Sequence, residues 1–109
     1  MIEGRRLIEQ DRYGNEIYLT DERWEHIVSL TNHPEMLDFE NELRETIRTG
    51  RRKQEMLNPQ KYRHSKQFDN LTAKNTHFVA VVFLRFFEDE KGELLANNFI
   101  VTTYEKKVW

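Results

Sequence analysis

The sequence predicts an α+β domain: two N-terminal helices packed on a four-stranded antiparallel sheet. Three observations lead there. Between residues 20 and 50 apolar residues recur at helical spacing. After Gly50 the spacing turns extended. Then HFVAVVFLRFF, residues 77–87, is apolar on both parities, as suits a central strand covered on both faces. Helices followed by a run of strands make a two-layer domain. With 109 residues, 38% of them hydrophobic, the chain suits one domain over 1–109 with a modest core. Seven Phe, four Tyr and two Trp supply enough bulk to set aside global disorder despite 33% charged residues.

Taken in order, DRYGN (11–15) is a turn signal, and EIYLT after it suits a short strand. Thr20 or Asp21 can cap the first helix, and acidic residues in its first turn suit the helix N-terminus. At about 100° per residue, Trp24, Ile27, Val28 and Thr31 share one face, while His26 falls on the flank with Arg23 and Leu30. Asn32-His33-Pro34 breaks that helix, and Pro34 opens the next. Met36, Phe39, Leu43 and Ile47 follow at helical spacing, and Gly50 ends the run. RRKQEML and KYRHSKQF read as outer strands, DEKGE as a turn, and LLANNFIVTTYE as the last strand. On strict alternation, Asn98, Ile100, Thr102 and Tyr104 share one face of that strand. KKVW forms a tail, with Trp109 expected to pack on its own core.

Net charge is only −2, but its distribution is uneven. Residues 1–43 carry a balance of −7, residues 44–66 one of +6, and residues 67–109 one of −1. The basic block is either a solvated surface or an anion-binding face. The absence of cysteine excludes disulfides, thiolate metal sites and cysteine nucleophiles, and fits a cytoplasmic setting. No apolar run reaches the length of a membrane span. The four histidines form no HExxH, and neither a Gly-rich phosphate loop nor a GxSxG is present. No metal or cofactor is expected.

What remains is His, Arg, Thr and Tyr beside a basic block. Those residue types suit RNA cleavage by the 2′-hydroxyl. That reaction needs a base for the hydroxyl, an acid for the leaving oxygen and cations on the phosphate. Histidine serves as acid or base near neutral pH, and arginine grips phosphate oxygens in a fork. A module that binds RNA or protein without cleaving it would use the same basic block.

The phrase LTDERWEHI…HPEM, then YR, FVAVV and FIVTTY before a final Trp, resembles a phage and cyanobacterial branch of the barnase–EndoU–colicin–RelE-like nuclease superfamily. The likeness covers about residues 13–109 as scattered short motifs. It implies a RelE-like fold of two helices on four antiparallel strands. It also implies a metal-independent endoribonuclease, a hydrolase of RNA that acts as the toxin of a toxin–antitoxin or phage-derived system, with an antitoxin protein as partner. Carried residue by residue, it makes His26, Arg63, Thr102 and Tyr104 the catalytic candidates, with Thr103 competing for the role of Thr102 in VTTY and His64, Arg51 or Lys66 for that of Arg63. Arg48, Arg51, Arg52, Lys53, His64 and Lys66 become the nucleic-acid-binding candidates.

Overall fold

A computed structural model describes residues 4–108. In chain order it contains β1 (Arg5–Gln10), β2 (Glu16–Thr20), α1 (Asp21–Ile27), a 3-10 helix (Pro34–Asp38), α2 (Glu40–Thr49), β3 (Arg51–Gln54), β4 (Lys61–Gln67), β5 (His77–Glu88) and β6 (Leu94–Lys106). All six strands join one sheet in the order β1-β2-β6-β5-β4-β3. Every neighbouring pair is antiparallel except β2 and β6, which meet in parallel with Tyr18 opposite Phe99.

This corrects the expected four-stranded antiparallel sheet of a RelE-like fold: the sheet has six strands and is mixed. Two strands join the expected four: EIYLT, expected as a short strand ahead of the helices, and RRLIEQ, not expected as a strand at all. The latter buries only Leu7 deeply, so it carries almost no alternation to betray it. The long-range ladder with β2 makes it a strand. The parallel junction is equally silent locally, because a single rung joins β2 to β6.

Capping chemistry explains α1. The Thr20 hydroxyl accepts a hydrogen bond from the Arg23 amide at 3.0 Å, and Asp21 and Glu22 fill the first turn. The second helix is not continuous. Pro34 opens a 3-10 turn that ends at Phe39, where α2 begins. Met36 and Phe39 are buried three residues apart, which a 3-10 repeat aligns. Gly50 ends α2 for a steric reason. A Cβ there would lie 2.3 Å from the Thr46 carbonyl oxygen and 2.8 Å from that of Ser65, so only glycine lets β3 leave the helix this close.

One face of the sheet holds the core. Phe78, Ala80, Val82 and Ile100 pack with Leu43 and Ile47 of α2, Trp24 and Ile27 of α1, Met36, Phe39, and Leu7, Ile17 and Leu19 of the first hairpin. A bulge in β6 alters the expected faces of the last strand. Val82 pairs with Ile100 but Val81 pairs with Thr102, leaving Val101 extra. Ile100 and Thr103 therefore face the core, whereas Thr102 and Tyr104 face away, and the strict alternation read from sequence fails there.

The β1–β2 hairpin starts beside β6 yet ends against β3 and β4. In its turn, Asp11 accepts hydrogen bonds from the amides of Tyr13 at 2.9 Å and Asn15 at 2.8 Å. The Tyr13 hydroxyl accepts from the Arg52 amide at 3.2 Å. At the other end, β5 and β6 run on past their neighbours as a two-stranded arm with Phe86 and Leu94 exposed. The molecule is accordingly long, 50 × 28 × 23 Å. No helix among the described residues is long and apolar enough to cross a membrane. Trp109 lies outside the described residues.

Candidate functional site

His26 sits exposed on the last turn of α1. It lines a pocket of about 530 Å³ with Tyr18, Thr20, Glu22, Arg23, Phe99 and Ile100. Three of these residues come from one helical turn. Glu22 and His26 are four residues apart and Arg23 and His26 three, so their side chains neighbour each other on the helix surface. The Thr20 cap fixes where that turn begins. Tyr18 closes the pocket from β2, its hydroxyl donating to the Asn97 side-chain oxygen at 2.6 Å. The pocket thus gathers a histidine, a carboxylate, a guanidinium and two hydroxyls, a set able to move protons and hold an anion.

The other catalytic candidates lie elsewhere. Arg63, Val81 and Thr102 form one rung across β4, β5 and β6, on the face turned away from the core. Ser65, Val79 and Tyr104 form the next. None of Arg63, Thr102 and Tyr104 lines the pocket of His26, so the four expected catalytic residues divide into two places. Arg63 also holds Glu55 at 2.5 Å. Thr103 turns inward, fully buried, with an unpartnered hydroxyl.

The basic block splits by strand parity. Arg51 and Lys53 share the open face with Arg63 and Lys61. Arg52 belongs to the other side, stacked 4.2 Å from the Tyr13 ring and 4.8 Å from that of Tyr62. Arg48 and Arg44 are spent on Glu9, at 3.3 and 3.0 Å. Lys66 lines a second recess of about 460 Å³ with Arg12, Arg51, Gln67 and His77.

His64, expected at the nucleic-acid surface, is instead completely buried. Its Nε2 lies 3.1 Å from an Asp11 carboxylate oxygen, and its Nδ1 has no partner. Burial pushes the imidazole below its ordinary range, against the opposing pull of Asp11. Burial alone would raise Asp11, but hydrogen bonds from the Asn15 amide, His64 and the Tyr13 amide hold its carboxyl below its usual value. Such a pair pins the hairpin turn to β4. At zero exposure His64 presents nothing to the surface.

Sequence reasoning passed over the rings on the open face. Tyr18, Phe99, Phe83 and Lys61 lie along one rung spanning β2, β6, β5 and β4. Ring centroids are 6.1 Å apart for Tyr18 and Phe99, and 5.7 Å for Phe99 and Phe83. Arg5 lies 3.7 Å from the Tyr18 ring centroid and Arg85 4.2 Å from that of Phe83, so a guanidinium caps each end. Assigning HFVAVVFLRFF as covered on both faces concealed this row. The available signal was Arg85, whose parity with Phe83 marks a solvated face.

Among the described residues, no group of three His, Asp or Glu side chains is placed to share a metal ion. Compared with known proteins, the chain matches no family model, no curated protein and no solved structure.

Proposed function

We propose that this protein is a metal-independent endoribonuclease whose chemistry takes place in the His26 pocket. The observation that carries this reading is the convergence of Glu22, Arg23 and His26 in one recess bordered by Tyr18 and Phe99, which are also members of the aromatic row. A base stacked on those rings would bring its own phosphate to the mouth of the pocket.

The reaction balances without a co-reactant. The RNA 2′-oxygen bonds to the adjacent phosphorus while the bond to the 5′-oxygen of the next nucleotide breaks. The hydroxyl proton passes to one of the Glu22–His26 pair, and the leaving oxygen takes a proton from the other. Arg23 balances the charge gathering on the phosphate oxygens. The products are a 2′,3′-cyclic phosphate and a free 5′-hydroxyl.

The test is cleavage of total RNA by purified protein in EDTA, with end-group analysis. Cyclic-phosphate ends are expected, and His26→Ala should lower the rate about 10²- to 10⁴-fold, as removal of an acid–base group does. Cleavage that survives in this variant at full rate would move the chemistry away from the pocket. One observation favours a second reading, a module that binds RNA without cutting it: Arg63, Thr102 and Tyr104 stand outside the His26 pocket. RNA binding with no cleavage by the wild-type protein would select that reading.

A further inference from the structure

The open face of the sheet is built unlike the rest of the surface. Its buried valines, Val79 and Val81, stand outside the core cluster, and the helices pack against the opposite side. Three aromatic rings, Tyr18, Phe99 and Phe83, occupy one row, and Tyr104 stands two rows along. Cations occupy the adjoining rows, with Lys61 ending the aromatic row, Lys53 beside Arg63 in the next and Arg51 in the one after. Rows on one face stand ~6.8 Å apart, two residues along a strand. Arg51, Lys53 and Lys61 have no carboxylate partner among the described residues, so their charge is uncompensated. The recess holding Lys66 and His77 takes up where these rows end, at Ser65 and Gln67.

Stacked rings with unpaired cations alongside match the needs of an unpaired polynucleotide. Every base has a flat face that stacks on an aromatic ring, and its backbone carries one negative charge per nucleotide. A duplex hides its base faces and cannot use the rings. A protein partner would have little use for an uncompensated row of cations unless it were strongly acidic. Arginine capping the outer rings adds a second flat surface on which a base can slide in.

We propose that the Tyr18–Phe99–Phe83 row and the cations beside it bind single-stranded RNA, with bases stacked on the rings and phosphates against Lys61, Lys53 and Arg51. This rests on the reading of RNA as substrate and defines which form of RNA the site takes. The strand enters the His26 pocket through Tyr18 and Phe99, shared by both. The site reads the flat faces of bases, so it accepts any sequence that stays unpaired.

The test uses the full chain carrying His26→Ala, so that RNA is not consumed. Fluorescence anisotropy compares a labelled oligoadenylate with the same strand annealed to oligouridylate. Tighter binding of the single strand is expected, and Phe83→Leu, which keeps apolar bulk but removes the ring, should weaken it roughly 5- to 100-fold at an unchanged thermal midpoint. Equal affinity for single strand and duplex would overturn the proposal even if Phe83→Leu failed to fold. So would a folded Phe83→Leu that binds as before. Cleavage of a dinucleotide by the wild-type chain separates the two readings, since a dinucleotide is too short to span the row. Dinucleotide cleavage without single-strand preference removes the stacking site and keeps the catalytic pocket, whereas single-strand preference without any cleavage supports the stacking site and removes the pocket chemistry.

Discussion

The two faces of the sheet divide the work of the molecule. The covered face is a row of apolar side chains with almost no exposure: Phe78, Ala80, Val82 and Ile100 against Leu43 and Ile47. The open face carries half-buried rings and uncompensated cations on the same strands, one residue out of phase. Burial drives folding in proportion to apolar area removed from water, so stability resides on the first face. Charges on the second cost little because solvent screens them, and they remain available to a ligand. Even the central valines obey this division: Val79 and Val81 are buried, yet neither belongs to the core cluster under the helices.

Substitutions that respect the division should separate folding from binding. Leu43→Ala, at a completely buried position, should cost about 2 to 5 kcal/mol of stability, read from urea unfolding. A loss below about 1 kcal/mol would mean that the core does not rest on α2. A smaller effect comes from pH. His64 is held neutral by burial, with a folded value below its ordinary 6.5. Below that pH the unfolded chain takes up a proton that the folded chain resists, so stability falls as pH drops from about 6.5 toward the folded value. Asp11 adds a second loss of the same sign at lower pH, as pH falls from the ordinary 3.8 through its depressed folded value. Denaturant midpoints measured from pH 8 to pH 3 should show both declines, and His64→Gln, which cannot titrate, should erase the upper one. An upper decline that persists in the variant would assign it to another histidine.

The smallest effect belongs to the open face. Lys53→Ala should leave unfolding within about 0.5 kcal/mol of wild type, as exposed substitutions do. The slope of log affinity for single-stranded RNA against log salt should become shallower by roughly 0.7, the share of one phosphate contact. An unchanged slope would take Lys53 off the RNA path. Arg48→Ala makes the contrast sharper, since Arg48 is occupied by Glu9 on the helix side and should leave that slope unaltered.

How much of this was legible in the sequence varies by element. The cap at Thr20, the helix start at Pro34 and the stop at Gly50 are local devices, and each stands where its residue type requires, but α1 ends at Ile27, short of the break expected at Asn32-His33-Pro34 and of Thr31. β4, β5 and β6 were legible as strands because they are long or apolar. β1 was not, since a polar strand with one buried leucine becomes a strand only through its partner. At the site, His26 stood out as a polar residue off the apolar stripe of its helix, and Glu22 and Arg23 were within reach by the same spacing. Strand alternation sets Arg63 opposite Tyr62 and His64, and the position of His64 follows from it. A residue opposite an exposed arginine in a sheet covered on one side points into the core, and there His64 needed the acid that Asp11 supplies across 53 positions.

The sequence alone determined where α1 begins and α2 ends, the strand-forming segments after Gly50 and the chemical types available for function, because these depend on nearest neighbours and on period. Only the tertiary structure decided the rest. A single parallel rung brings Tyr18 beside Phe99, and one bulge turns Thr102 outward while leaving Ile100 inside. Strand parity divides one basic block between two faces. Each of these is a matter of register between distant segments, and register depends on which pairing buries the most apolar surface across the whole fold.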